Sequence, residues 1–521
     1  MSDPDSATQP AAGREQPRSD AYDVVVVGGG IGGLTAAALL AQQGRSVLVA
    51  EQADGPGGYA RAFKRGPYTF DPAIHVIPQG QRDALAYALF EYLGIADRID
   101  LVPVHSLYRA VFPDVVVEPE FGLERIIALH QELFPGEADA VERFARLCAA
   151  VHLEAHNLPP RLGLDNLDEA AKLAPTLFKY LRANTAEVLD ESFTDPRLKN
   201  VITALWPYLG SPPSRLSFVT FGTLFNVIAD GAFYSKGSFQ AIPDAMLAAF
   251  EREGGELVVN SRVTRILTED GQVAGVELDG DTRVRAGTVI SNVDVRQTFE
   301  ELVGDGVLPA RLLNRTRRMT PSLSAVVLFT ATTLDLDKMG AAHEMFLYTR
   351  PDHEDTYRDI LEGRPGAMWA SVPTLVDPSL APPGEHLLIL NSLAAYDIGK
   401  PWEDEIGRFE ERLLDAFEPQ FPGLRDSLTF RESATPVTLE RYTLNRNGAA
   451  YGWENTPTQT GGRRSPHVTP VRGLLLAGHW TQPGSTSLRV LVSGLHTAQM
   501  VLAMTGGPSI RIDHPDFPPV D

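Results

Sequence analysis

Tyr22-Asp23-Val24-Val25-Val26-Val27-Gly28-Gly29-Gly30-Ile31-Gly32-Gly33-Leu34-Thr35-Ala36-Ala37-Ala38-Leu39-Leu40 is the stretch on which the fold turns. Its first half is a continuous β-branched run, the pattern of a parallel strand covered on both faces. Glycines follow at once, and then an Ala/Leu helix closed by Gly44. A second apolar strand, Ser46 to Ala50, ends at Glu51. The spacing is that of a β-α-β unit with G-x-G-x-x-G at its strand-to-helix turn. Gly28 permits the tight turn, Gly30 lets backbone approach a pyrophosphate, and Gly33 lets the helix pack on the strand. Ile31 and Gly32 complete the helix start, whose positive end faces the phosphates. Glu51, at the end of the next strand, is placed to accept both hydroxyls of a ribose, and its charge disfavours a 2′-phosphate. The fold class is therefore α/β, with a Rossmann-like dinucleotide domain.

Working outward, residues from Leu123 to about Leu209 carry helical periodicity, broken at Pro196 and Pro207. Between Glu256 and Ser291 the period drops to two, punctuated by Asp270-Gly271 and Asp279-Gly280, which predicts an inserted β-meander. Ser324–Thr332, Ala367–Pro373 and His386–Ser392 predict a second, mixed sheet, with a helix over Asp404–Phe417. The last ordered block is Gly473–Ala477 followed by a helix from about Val490 to Met504. The expected organisation is a discontinuous nucleotide domain over 21–110, 231–300 and 465–506, and a substrate-binding and helical domain over 111–230 and 301–464. Residues 1–20 and 507–521 are expected to be disordered tails. The apolar run Leu216–Ala229 is too short to span a bilayer. It reads either as a core helix or as the wall of a substrate tunnel.

Composition limits the function. The chain has 521 residues, is 43% hydrophobic and 22% charged, and its 46 basic against 67 acidic residues leave a net charge of −21. This is the profile of a soluble globular protein. No basic patch stands out, which argues against nucleic acid. The same charge opposes adsorption to anionic lipid, so membrane contact is expected to be peripheral at most. The single cysteine, Cys148, lies in an apolar run and is expected to be buried and inert. No C-x-x-C pair is present and no metal is expected. The N-terminus lacks the apolar core of a signal peptide, so a cytoplasmic location is expected. Homo-oligomer formation is left open.

NAD and FAD share these motifs, and the segment after Glu51 separates them. Gly57-Gly58-Tyr59-Ala60-Arg61-Ala62-Phe63, then a hairpin ending in Phe70-Asp71-Pro72-Ala73-Ile74-His75, resembles the glutathione-reductase-like flavoproteins of the amine oxidase and phytoene desaturase branch. Tyr234–Pro243, and Arg472-Gly473-Leu474-Leu475-Leu476-Ala477-Gly478-His479-Trp480-Thr481 running on to Gly494, extend the resemblance over nearly the whole chain. It implies FAD, held noncovalently. Gly57 and Gly58 would lie along the pyrophosphate and ribityl chain, with Tyr59 and Arg61 beside them. Val263 would meet the adenine, while Gly478, His479, Leu488 and Arg489 would face the flavin. The hairpin, Pro436–Tyr442 with Asn445 and Tyr451–Glu454, and Pro483-Gly484 point to the carotenoid isomerase and retinol saturase side of the group.

Three departures stand out. Tyr59 replaces the family's usual arginine, Ser238 its second glycine, and Ser485-Thr486-Ser487-Leu488-Arg489 its Gly-Val-Pro-Gly run. The resemblance implies hydride transfer to or from a C–C bond of a lipophilic isoprenoid or polyene. A flavin amine oxidase acting on a C–N bond, and a non-catalytic prenyl-binding escort, are the alternatives. Two side chains are candidates for chemistry. His75 would exchange a proton near neutral pH, and Arg489 would place a cation beside the flavin pyrimidine.

Overall fold

In the computed structural model, which describes residues 16–157, 167–304, 306–512 and 514, the valine run is the centre of a seven-stranded sheet. The strand Ala21–Val27 pairs in parallel with Val47–Ala50 on one side and with Thr282–Ser291 on the other. Val24 to Val27 are buried, as a strand covered on both faces must be. From one edge the order is Glu256–Val258, Val47–Ala50, Ala21–Val27, Thr282–Ser291, Gln272–Leu278, Val263–Glu269. Leu474–Leu476 joins alongside the second half of Thr282–Ser291. The expected meander is therefore not a separate insertion. Glu256–Val258 pairs in parallel with Val47–Ala50, and Thr282–Ser291 changes partner along its length. Its first residues run antiparallel to Gln272–Leu278, while Val289, Ile290 and Ser291 lie inside the parallel sheet.

The helix Ile31–Gln42 lies on this sheet with all but Gln42 buried. The C-terminal helix Ser487–Thr505 crosses it so closely that a Cβ on Gly494 would sit 2.4 Å from the Gly32 carbonyl oxygen.

The second sheet runs Leu428–Ala434, Ser324–Thr332, His386–Ala394, Gly366–Ser371, Glu344–Leu347, Arg109–Val111, Val116–Val117. Alternate residues face opposite ways. Val326, Met345, Met368 and Leu390 bury against Phe409 and Leu413 of the helix Trp402–Phe417. Phe346, Trp369 and Leu393 face the helical part of the chain. There, Leu216–Ala229 becomes the core helix Phe218–Ala229, with Phe221 and Phe225 within 6.4 Å of the Phe144 ring. Cys148 is fully buried in the same core, where burial pushes its thiol up. Among the described residues no helix is long and apolar enough to cross a membrane.

Parts of both expected tails are packed on the fold. Residues 1–15, 513 and 515–521 lie outside the described residues. The Arg18 amide, however, donates to Glu256 Oε1 at 2.7 Å, and Asp20 accepts from the Arg285 amide at 2.8 Å. At the other end Ile510 and Ile512 are buried in the core beneath the C-terminal helix. Two spaced isoleucines in a proline-rich segment suffice to tie it down, because burying each is worth about 1.5–3 kcal/mol.

Candidate functional site

The C-terminal ends of the central parallel strands meet the glycine turn, the place where open α/β sheets bind ligands. The Gly28 amide donates to Ala50 O at 2.9 Å and the Gly57 amide to Gly29 O at 2.8 Å. Gly30 caps the helix without any side-chain acceptor, so the N–H groups of its first turn are free for an anion. Gly33 has no room for a side chain, since a Cβ there would lie 2.5 Å from Gly28 O. Gly57 and Gly58 both adopt positive φ, and a Cβ on Gly58 would come within 3.3 Å of Gly30 Cα. The second glycine pair thus folds back onto the first.

Glu51 ties these turns together. Its Oε2 accepts from the Gly29 amide at 2.6 Å and its Oε1 from the Ala53 amide at 2.8 Å. Burial pushes its carboxyl above the usual range, opposed by those two bonds and by the charge of Arg61. Val263 is buried just beyond Ser261, whose amide donates to Glu51 O. Arg61 itself turns outward to an exposed ion pair with Asp54.

Sequence reasoning missed Asn292. It follows Thr282–Ser291 directly, and its amide fills the centre of the turn. Nδ2 donates to Gly28 O at 3.3 Å. A Cβ on Gly30 or Gly32 would be 2.9 Å from the Asn292 amide, and one on Gly478 would be 2.3 Å from Oδ1. One side chain therefore joins the N-terminal glycine motif to the C-terminal one. The signal was present, an Asn at the end of an apolar strand, but it carried weight only once that strand proved to be central. Asp71 was quoted in the hairpin motif without a role. It is buried, accepting from Tyr234 Oη at 2.5 Å and the Phe239 amide at 2.9 Å, and so pins the hairpin to the strand Ala232–Ser235. Burial raises its carboxyl to about 7.

The C-terminal motif closes the opposite wall. The Gly478 amide donates to Ser493 Oγ at 3.0 Å, and Tyr59 Oη donates to Ala449 O at 3.0 Å with its ring 5.9 Å from that of His479. His479 is half-buried with its Nε2 buried and unpartnered, and desolvation followed by the Arg464 charge lowers its pKa to about 3. Leu488 is buried, and Arg489 opens the last helix beneath the Thr486 cap. The Arg489 guanidinium has neither a carboxylate nor a hydrogen-bond partner among the described residues, and burial lowers its pKa. Arg464, 0% exposed, is a second cation without a carboxylate partner among the described residues, though hydrogen-bonded to carbonyl oxygens. It donates to Tyr451 O at 2.7 Å and to His479 O, its Nε is orphaned, and burial lowers it to about 9. A buried and a half-buried guanidinium, neither with a carboxylate partner among the described residues, give this wall a positive charge.

His75 is 7% exposed, stacks edge-on to Trp369 at 6.4 Å, and gives its carbonyl to His343 Nε2 at 3.0 Å. Burial, then the neighbouring His343, lowers its pKa to about 3. Burial thus opposes the protonated ring that the sequence reading placed near neutral pH. His152 and His156 stand one helical turn apart, yet no group of three metal-ligating side chains forms among the described residues.

The profile of the flavin-containing amine oxidoreductases matches residues 31–502. The chain belongs to that family. It is thus an FAD-dependent oxidoreductase, and the geometry fits the cofactor. The glycine cradle brings its backbone turns together without side chains between them, no side chain caps the helix start, and guanidiniums without a carboxylate partner among the described residues stand at the far wall. Prolycopene isomerase 2 of an Oncidium hybrid cultivar is 27% identical over 94% of this chain and 85% of its own length. A lycopene-forming phytoene desaturase from Paracoccus is 29% identical over 93% and 98%, and the all-trans-retinol 13,14-reductase of Danio rerio 25% over 88% and 82%. Among solved structures, a Methanosarcina mazei oxidoreductase superposes with a TM-score of 0.63 at 17% identity, covering 91% of this chain and 99% of its own. Cyclohexylamine oxidase from Brevibacterium oxydans superposes with a TM-score of 0.62 at 16%, covering 93% and 99%. At these identities the structures establish the shared fold alone.

Proposed function

We propose that this flavoenzyme transfers hydride to or from a C–C bond of a lipophilic isoprenoid or polyene. The observation that carries the reading is the wall which the second sheet and the loop before it present. Tyr208, Phe346, Trp369 and His75 pack as one aromatic cluster, with ring separations of 5.0 to 6.4 Å. The acid within it, Glu344, is pushed up by burial to about 8 and is neutral at pH 7. A neutral, aromatic wall suits a conjugated chain and offers no anion to a protonated amine, which disfavours the C–N alternative. The relatives whose names record carotenoid desaturation, carotenoid isomerisation and retinol reduction support the same reading. The retained glycine turns and Glu51 argue against a cofactor-free escort.

Bound FAD supplies the hydride chemistry, and the protein's part is to orient, exclude water and tune. The reading is tested by mixing holoenzyme anaerobically with conjugated polyenes and with alkylamines. Oxidation or reduction of the flavin band by a polyene, with a product differing by two hydrogens, supports it. A response to amines alone overturns it.

Arg489 supplies the tuning in this reading. A cation facing the pyrimidine favours the anionic reduced ring and so raises the two-electron potential. Arg489→Met, losing roughly 1–2 kcal/mol of that preference, is expected to lower the potential by about 20–45 mV with little change in FAD content. Dye-equilibration titration measures it, and an unchanged potential assigns Arg489 to packing alone.

A further inference from the structure

The chain's excess of acid reverses locally. An open cleft of about 740 Å³ lies between the helix Ala310–Arg318 and the segment 458–463, within the size range of small-molecule sites. Arg311, Arg315, Arg318 and Arg463 line it, with no acidic side chain among the described residues of its walls. The first three are spaced i, i+4 and i+7, which puts them on one face of the helix. Like charges so spaced repel, and this happens in a chain whose acids outnumber its bases 67 to 46. The helix dipole favours cations at the C-terminal end, which accounts for Arg315 and Arg318. Arg311 instead stands in the first turn, at the positive end, and no acid accompanies it there. The neighbouring Arg317, which does not line the cleft, pairs with Glu300 Oε1 at 2.9 Å.

The walls of the cleft are held in place. Arg463 Nη1 donates to Pro457 O at 2.8 Å and to Leu181 O at 3.3 Å, and Arg315 Nη2 donates to Arg463 O at 2.5 Å. Gln459 joins the two walls, accepting from the Thr320 amide at 2.7 Å and donating to the Thr320 carbonyl at 3.1 Å. A guanidinium carries five N–H donors, so both anchored arginines keep donors for a ligand.

We infer that this cleft binds a small soluble anion bearing two linked phosphates, at a site separate from the FAD cradle. Guanidiniums match phosphate oxygens in pairs, and four of them on two walls suit charge spread over two neighbouring phosphates better than a single one. The lining residues belong neither to the glycine turns nor to the flavin wall, so the pyrophosphate of FAD does not compete for them. The concave shape fits an enclosed ligand, whereas a membrane presents a plane.

Holoenzyme is titrated calorimetrically with inorganic pyrophosphate at low salt. One site per chain is expected, with unchanged flavin absorbance, affinity that falls as salt rises, and inorganic phosphate binding at least about tenfold more weakly. Arg311→Gln/Arg318→Gln, at two exposed positions, should weaken pyrophosphate about tenfold or more and keep the flavin content. Arg98→Gln/Arg143→Gln removes the same charge from exposed positions outside the cleft and should bind as the parent does. Absence of saturable binding, equal weakening by the two double variants, or release of flavin on binding overturns the site. So does failure of free pyrophosphate to bind while the parent, but not Arg311→Gln/Arg318→Gln, sediments with phosphatidylserine vesicles, because the phosphate would then be that of a lipid headgroup.

Discussion

Gly33→Val is expected to yield a protein that purifies without flavin. The first atom of any side chain at this position would lie 2.5 Å from the Gly28 carbonyl oxygen and 3.0 Å from Asn292 Nδ2. The carbonyl is backbone held between paired strands, and the amide is the link between the two glycine motifs, so neither can give way cheaply. Relief comes only if the helix Ile31–Gln42 moves off the sheet, which misaims the N–H groups at its start. Overpacking alone costs about 1–3 kcal/mol. With the displaced phosphate site, the loss in FAD affinity should reach at least about a hundredfold. Flavin absorbance per mole of purified protein checks it. Gly407→Ala is the control, because that position is an exposed helical site with nothing within 4 Å. It should keep full flavin content and stabilise by about 0.5–1 kcal/mol. A flavin-replete Gly33→Val protein would refute the close packing.

Glu51→Gln should weaken FAD binding by tenfold to a hundredfold while leaving the isolated fold intact. Both carboxylate oxygens already accept backbone amides, from Gly29 and Ala53, and each retains a lone pair for a ribose hydroxyl. Glutamine must turn an NH₂ toward one of those amides, opposing donor to donor, and it removes the charge assistance from the ribose contact. A hydrogen bond to a charged group contributes roughly 1.5–3 kcal/mol, which sets the range. Equilibrium titration of apoprotein with FAD reads it out, and parental affinity in the variant would deny Glu51 the ribose role.

The motif Gly28 to Gly33, Glu51 and the Gly57-Gly58 pair were legible in the sequence because their function is backbone conformation and close approach. Only glycine meets those needs at Gly57 and Gly58, with φ of 129° and 58°, so the residue type is itself the signal. The valine run was legible for a similar reason, since a strand buried on both faces admits few other compositions.

The rest depended on contacts between residues far apart in the chain. Period two over Glu256–Ser291 could not show that Thr282–Ser291 leaves its hairpin for the parallel sheet, because alternation reports facing and not partners. Asn292 was unremarkable until that strand became a neighbour of Ala21–Val27. His75 carried an ordinary histidine pKa in the sequence and a value near 3 in the fold, since desolvation is a property of everything packed around the ring. The contacts among Glu344, Tyr208 and Trp369 are likewise tertiary. Thus the dinucleotide cradle and the α/β fold class were legible through local backbone constraints and side-chain periodicity, and FAD through the resemblance to a family. The tertiary structure alone decided which polar groups are buried and which charges stand near them, because desolvation depends on everything packed around a group.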